Sequence, residues 1–134
     1  MIAPNRKVIG VDIRRQFVPG DFFFFYEEST DNFFKHFNEN PDVIFIDADH
    51  NFESVKKDFI NSLNVLKKGG IIFMHDTDPE SAILLGKDFA NDAYKVVDWI
   101  REKYKDVDIF VLPADNCGMT LVKRKLDRRV LDFV

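Results

Sequence analysis

Three carboxylates and two histidines stand at the ends of apolar runs in this 134-residue sequence: Asp47, Asp49 and His50 close "DVIFIDADH", and His75 and Asp76 close "IIFMHD". Carboxylates at corresponding ends of two neighbouring strands can share a divalent cation, since magnesium takes carboxylate oxygens and keeps several waters. Asp47 and Asp76 are the candidate ligands. An imidazole, with an unperturbed pKa of about 6.5, is a natural proton acceptor beside such a pair, so His50 and His75 join Asp47 as candidate catalytic residues. The structural readings stand next to these. An Asp just before a helix is usually a cap, which suits Asp49, and His75 is equally a strand-end imidazole bonded to backbone. Asp12 closes a third apolar run, "KVIGVDI". A carboxylate there either accepts both hydroxyls of a ribose, as at strand ends of dinucleotide-binding sheets, or caps a turn.

These side chains must be held by strands and helices, and the hydropathy pattern supplies them. "KVIGVDI", "FFFFYEE", "DVIFIDAD" and "IIFMHD" are short apolar runs that read as strands, and the unbroken apolarity of the last two fits parallel strands buried on both faces. Ser29, Thr30 or Asp31 can cap a helix that places Phe33, Phe34 and Phe37 on one side. His36 on this helix is read as structural or exposed. Phe52, Val55, Phe59, Leu63 and Leu66 recur at helical spacing and stop at Gly69-Gly70. Ala93, Val96, Val97, Ile100 and Tyr104 mark another helix, with Trp99 and Tyr104 as core or interface residues. "VDIFVLP" and "MTLVKRK", joined by "ADNCG", read as antiparallel neighbours. "RRQFVPGD" is a turn around Pro19-Gly20. The irregular stretch 78–92 is long for a plain connection and is a candidate lid. The order β-β-α-β-α-β-α-β-β predicts an α/β fold, one mostly parallel sheet with an antiparallel edge formed by the C-terminal hairpin, in a single domain spanning 1–134.

Composition narrows the function classes. The formal charge of −4 offers no footprint for nucleic acid, and the basic cluster "KRKLDRR" near the end of the chain reads as a solvated tail. Apolar runs fall far short of the roughly 20 residues needed to span a membrane, and the start carries no signal-peptide pattern, so the expected setting is cytoplasmic. One cysteine, Cys117, excludes an internal disulfide framework and reads as buried filler. Fifteen phenylalanines, four of them consecutive at 22–25, require a large buried area.

The stretch "FIDADHNFESVKKDFINSLNVLKKGGIIFMHDTD", with its strand ending in Asp-x-Asp-His, its Val-Lys-Lys-Asp helix and its Gly-Gly before a strand ending in His-Asp-Thr, has a recognisable pattern. With the closing "NCGMTLVKRK", the chain from Lys7 to Lys125 resembles the C-terminal three-quarters of a class I S-adenosylmethionine-dependent methyltransferase, nearest to the macrocin and cephalosporin-hydroxylase-like small-molecule O-methyltransferases. The resemblance implies a Rossmann-like sheet, S-adenosylmethionine as cofactor, Asp12 on its ribose, Glu28 and Ser29 beside its adenine, and a further cofactor contact at Asp47. For Ser29, helix capping is an equal reading. It also implies Mg2+ at Asp47 and Asp76 that holds the acceptor oxygen, with His50 or His75 completing proton removal, and a small-molecule acceptor. The family's first strand and glycine-rich loop have no counterpart here. This departure implies a truncated or reduced form, or a site completed by another subunit.

Right-handed crossovers move helices to the other face of a sheet when the winding direction reverses. Without the family's first strand and helix, and with "RRQFVPGD" too short for a helix, one sheet face is expected to be bare. Burying each large apolar side chain is worth about 1.5–3 kcal/mol, so a homo-oligomer, most simply a dimer, is expected to cover it. Two functions from different classes follow: methyl transfer to a hydroxyl of a small molecule, or a binding or assembly module that keeps the scaffold without turnover. A different nucleotide-handling enzyme that uses the same strand-end carboxylates is a third, weaker reading.

Overall fold

The computed structural model describes residues 6–15 and 20–125. Pro19 of the predicted turn and the basic cluster beyond Lys125 lie outside the described residues. The chain divides into two compact units, Met1–Asn38 and Glu39–Val134. Among the described residues no helix is long and apolar enough to cross a membrane.

The first unit pairs two parallel strands, β1 (Val8–Asp12) and β2 (Phe23–Glu27), in a register that runs from Val8 opposite Phe23 to Asp12 opposite Glu27. Helix α1 (Thr30–His36) follows directly. It starts where the sequence allows: Ser29 is extended, and its Oγ accepts a bond from the Asn32 amide at 3.3 Å, which satisfies one of the amides a helix start leaves open. The Phe-rich stripe then makes this unit's small core. Phe33 is buried, stacks on Phe37 at 4.7 Å between ring centroids and meets Tyr26 edge-on at 5.2 Å.

The second unit packs two helices on a four-stranded sheet. Strands β3 (Val43–Ile46), β4 (Ile71–His75), β5 (Val107–Leu112) and β6 (Met119–Arg124) form one sheet in the order β3-β4-β6-β5. β3 and β4 are parallel, whereas β6 runs antiparallel to both β4 and β5. The predicted hairpin is present, but its reversed strand is not the edge. β6 lies between β4 and β5, and its residues Thr120 and Val122 are fully buried.

Helices α2 (Phe52–Val65) and α3 (Lys95–Lys103) lie on the same side of this sheet. Val55, Phe59 and Leu63 from α2, and Val96, Val97 and Ile100 from α3, join Ile46, Ile72, Met74 and Val122 in one cluster. Side chains alternate across a strand, so Ile72 and Met74 are fully buried while their neighbours Ile71 and Phe73 are only half-buried. The unbroken apolar runs suggested burial on both faces. In β3 this fails on one face, where Val43 and Phe45 are 57% and 54% exposed. On the same face of the sheet Phe110, 56% exposed, stands opposite Leu121. Exposed apolar side chains of β3 and β5 therefore share the face of the sheet opposite α2 and α3.

Two glycines shape the connections. Gly69, at φ +82, turns the chain after α2, with open space where a Cβ would go. Gly118, at φ +72, ends the β5–β6 connection, where a Cβ would lie 2.3 Å from the Cβ of Asp78. The two sites separate backbone strain from collision. Gly69→Ala should cost about 1 kcal/mol from the left-handed backbone alone, and Gly118→Ala about 2–4 kcal/mol with overlap added. Urea unfolding of the two variants measures this, and equal costs would mean that the turn at Gly118 relaxes freely.

Candidate functional site

The carboxyl ends of β3 and β4 are adjacent because the strands are parallel and paired, with Ile46 opposite Met74. Open α/β sheets bind ligands at this edge. The chain leaves β4 sharply. Asp76 takes φ +59, an uncommon conformation for a residue with a Cβ, and its side chain is only 6% exposed. The next residue anchors the turn: Thr77 Oγ1 shares a 2.7 Å bond with Thr120 Oγ1 on β6 and donates to the Met74 carbonyl at 3.3 Å. Residues 78–80 are laced to the β5–β6 connection, with the Asp78 amide on the Cys117 carbonyl and the Glu80 amide on the Asn116 carbonyl.

Four predicted residues meet here. Asp76 Oδ2 lies 3.0 Å from His50 Nε2 and 3.1 Å from His75 Nδ1. Asp47 Oδ1 lies 3.4 Å from His75 Nδ1 and 3.9 Å from His50 Nε2. The other nitrogen of each ring is also engaged. His50 Nδ1 bonds the Phe89 carbonyl, so it must be the protonated nitrogen, and His75 Nε2 bonds Asp115 Oδ2 at 2.7 Å.

The electrostatics follow from these neighbours. Partial burial pushes the Asp47 carboxyl above the ordinary carboxylate range, opposed by the nearby His75 and reinforced by the charge of Asp76. Burial works against a charged His75 ring, but the Asp115 hydrogen bond and the charges of Asp76 and Asp47 outweigh it and raise its pKa. Asp115 is held low by its bond to His75 and by the Cys117 amide. Burial, together with a hydrogen bond to Asp76, raises the Cys117 thiol. Cys117 is therefore half-buried and not the fully buried filler expected, and its raised pKa keeps it a thiol.

Asp47, His50 and Asp76 each offer one ligand atom, all within 4.8 Å of one another. Two carboxylate oxygens and an imidazole nitrogen converging at a strand edge suit a divalent cation. The predicted ligand pair, Asp47 and Asp76, is brought together here with His50 as a third donor.

The remaining candidates have local duties. Asp12, on β1, accepts a 2.8 Å bond from the Arg14 amide, the turn-capping geometry. Glu28 bonds His36 Nε2 at 2.6 Å, and Ser29 caps α1. Asp12, Glu28 and Ser29 belong to the first unit and Asp47 to the second. Asp49 braces the start of α2 by accepting from Asn51 Nδ2 and Ser54 Oγ, each at 2.7 Å, while Asn51 is the cap itself.

Sequence reasoning missed Asp115. It sits in "ADNCG" at φ +52, with Oδ1 accepting from the amides of Cys117 and Gly118. Asp tolerates the left-handed region better than most residues, so the turn was legible. Its reach to a histidine 40 residues away was not.

Among solved structures, the chain is similar to an S-adenosylhomocysteine-bound methyltransferase of Podospora anserina, with 21% identity over 80% of this chain and 51% of that one at a TM-score of 0.62. It is also similar to a Corynebacterium glutamicum protein, with 14% identity over 95% of this chain and 64% of that one at 0.72. A third is an O-methyltransferase from Bacillus cereus in complex with S-adenosylhomocysteine, with 14% identity, coverage of 78% and 51%, and a TM-score of 0.58. At these identities the likeness is one of fold, and the chain spans about half to two-thirds of the length of these structures. No curated protein matches the sequence. A family model described as a methyltransferase domain matches residues 5–77, which takes in both strand ends and stops one residue after Asp76. That match covers more than half of the chain, which therefore belongs to the methyltransferase-domain family and carries the Rossmann-like fold of class I S-adenosylmethionine-dependent methyltransferases.

Proposed function

We propose that this protein is a cytoplasmic S-adenosylmethionine-dependent methyltransferase that acts on a hydroxyl of a small molecule. The observation that carries this reading is the convergence of Asp47, His50, His75 and Asp76 at the carboxyl ends of β3 and β4, inside the stretch matched by the family. The free thiol of Cys117 fits a reducing compartment.

When bound, S-adenosylmethionine supplies a methyl carbon activated by a positively charged sulfur. Asp12, at the end of β1, would accept the ribose hydroxyls. Asp47 and Asp76 would hold a divalent cation, which would supply polarisation of the acceptor oxygen. His75 takes the hydroxyl proton at Nδ1, the nitrogen that faces Asp47 and Asp76. Asp115, on Nε2, keeps the ring oriented and stabilises the imidazolium that forms, the role a carboxylate plays behind any histidine base. Segment 78–92 contributes an apolar wall for the acceptor. Ile83 and Phe89 are 80% and 48% exposed, and Phe89 is tied back to His50 through its carbonyl.

The open face of the four-stranded sheet serves as the interface of a homo-oligomer. Val43, Phe45, Phe110 and Leu112 are all at least 42% exposed there, and covering each large apolar side chain contributes about 1.5–3 kcal/mol. A two-fold dimer presents this patch to its own copy.

Three measurements test these statements. Calorimetry should show micromolar binding of S-adenosylmethionine and of its demethylated product, weakened at least about tenfold by Asp12→Ala, the loss expected when a hydrogen-bonded charge is removed. No binding up to millimolar would sink the methyl-transfer reading. In methyl-transfer assays His75→Gln should lower kcat by about 10²–10⁴-fold with cofactor affinity unchanged, and Asp115→Asn by less. An unchanged kcat in His75→Gln removes the base assignment. Light scattering should find a dimer at micromolar concentration that Phe45→Glu with Phe110→Glu converts to a folded monomer, whereas a monomeric parent protein refutes the interface.

A further inference from the structure

We infer that His50 is a metal ligand, and that the cation it holds with Asp47 and Asp76 is a first-row transition metal ion such as manganese, cobalt or zinc rather than magnesium. The inference rests on the methyltransferase reading for the use of the site, and on geometry for the site itself.

The ligand atoms converge: His50 Nε2 lies 3.9 Å from Asp47 Oδ1 and 3.0 Å from Asp76 Oδ2, and each of the three residues offers an atom within 4.8 Å of the others. Two features mark His50 out from a histidine that merely salts a carboxylate. Its Nδ1 is turned to the main-chain carbonyl of Phe89, which can only accept, so the tautomer is fixed and Nε2 is the atom presented to both carboxylates. A backbone carbonyl behind the outer nitrogen is the usual support of a metal-binding imidazole, since it sets ring orientation and raises ligand basicity. That support comes from segment 78–92, independent of the acidic residues. Asp92 in the same region accepts the Phe52 amide at 2.7 Å, which ties the segment to the start of α2 just beyond His50. Asp76, in turn, is a carboxylate more than nine-tenths buried that faces the same point.

The donor set decides the metal. Magnesium prefers oxygen ligands in near-ideal octahedral geometry and gives up water reluctantly. One imidazole among three protein donors moves the preference toward ions that take nitrogen, with affinity rising from manganese through cobalt. The assignment also divides the labour between the two histidines. His50 holds the cation, and His75, whose second nitrogen faces the side chain of Asp115, remains the proton acceptor.

Cobalt(II) titrated into the full chain should give visible ligand-field absorption that about a thousandfold excess of magnesium does not abolish and that zinc does. His50→Gln should weaken cobalt binding on the order of tenfold or more, at least the loss seen when a supporting residue of a metal site is removed, while any magnesium effect on melting stays as it was. Because a variant can unfold, the unaltered protein carries an independent readout: bound manganese should show nitrogen modulation in pulsed electron paramagnetic resonance. No cobalt uptake up to millimolar, bound manganese without nitrogen coupling, or displacement of cobalt by equimolar magnesium would each overturn the inference. Calorimetry with S-adenosylmethionine on metal-free protein keeps the two claims apart. Cofactor binding without cobalt uptake sinks the metal assignment alone, and cobalt uptake without cofactor binding sinks the methyltransferase reading while the metal site stands.

Discussion

A nearly buried carboxylate is the constraint around which the second unit is organised. Asp76 leaves β4 in the left-handed region with its side chain 6% exposed, and a charge taken out of water is tolerated only when paired and hydrogen-bonded. Each neighbouring element meets part of that demand. His50 comes from the loop after β3 and His75 from the last position of β4 itself. The Cys117 thiol comes from the β5–β6 connection. The Thr77–Thr120 bond fixes the backbone immediately after it. Even Gly118 belongs to this arrangement, because the main chain of Asp78 occupies the space a Cβ would need. Removing His50, His75 or Cys117 takes away a group that faces the carboxylate, and removing the Thr77–Thr120 bond or Gly118 disturbs the backbone that aims it.

The strand-end residues were legible because they occur where polarity returns after an apolar run. "VIFI" followed by Asp47 and "IIFM" followed by His75 and Asp76 need no tertiary information to be placed on one sheet edge, and parallel pairing then brings them together. Caps were legible for the same local reason, as Ser29 and Asn51 show. What escaped was carried by atoms or distances that residue types do not signal. The Phe89 contact is made by a carbonyl that any residue would supply. Asp115 reads as a turn residue in sequence and acquires its partner only because β6 inserts beside β4 and carries the turn over His75. Placing β6 at the edge, as its order in the chain invites, would separate the two. The Glu28 contact with His36 was also hidden, because it depends on α1 beginning so soon after β2 that the ring lies within reach of the carboxylate.

The same insertion explains why the site and the open face are two consequences of one topology. β3, α2 and β4 form a crossover whose handedness is fixed by strand twist, and the crossover from β4 through α3 to β5 continues in the same direction, so both helices fall on one side. Core residues of α2 and α3 accordingly meet Ile46, Ile72 and Met74 and leave Val43, Phe45 and Phe110 to the opposite side. Winding in one direction puts the carboxyl ends of β3 and β4 side by side, where Asp47 and Asp76 share a site. Among the described residues of this unit, both long helices lie on the first face. A sheet that continued in the other direction from β3 would put its crossovers on the opposite face, so the apolar alternation in β3 already carries the requirement for a covering layer.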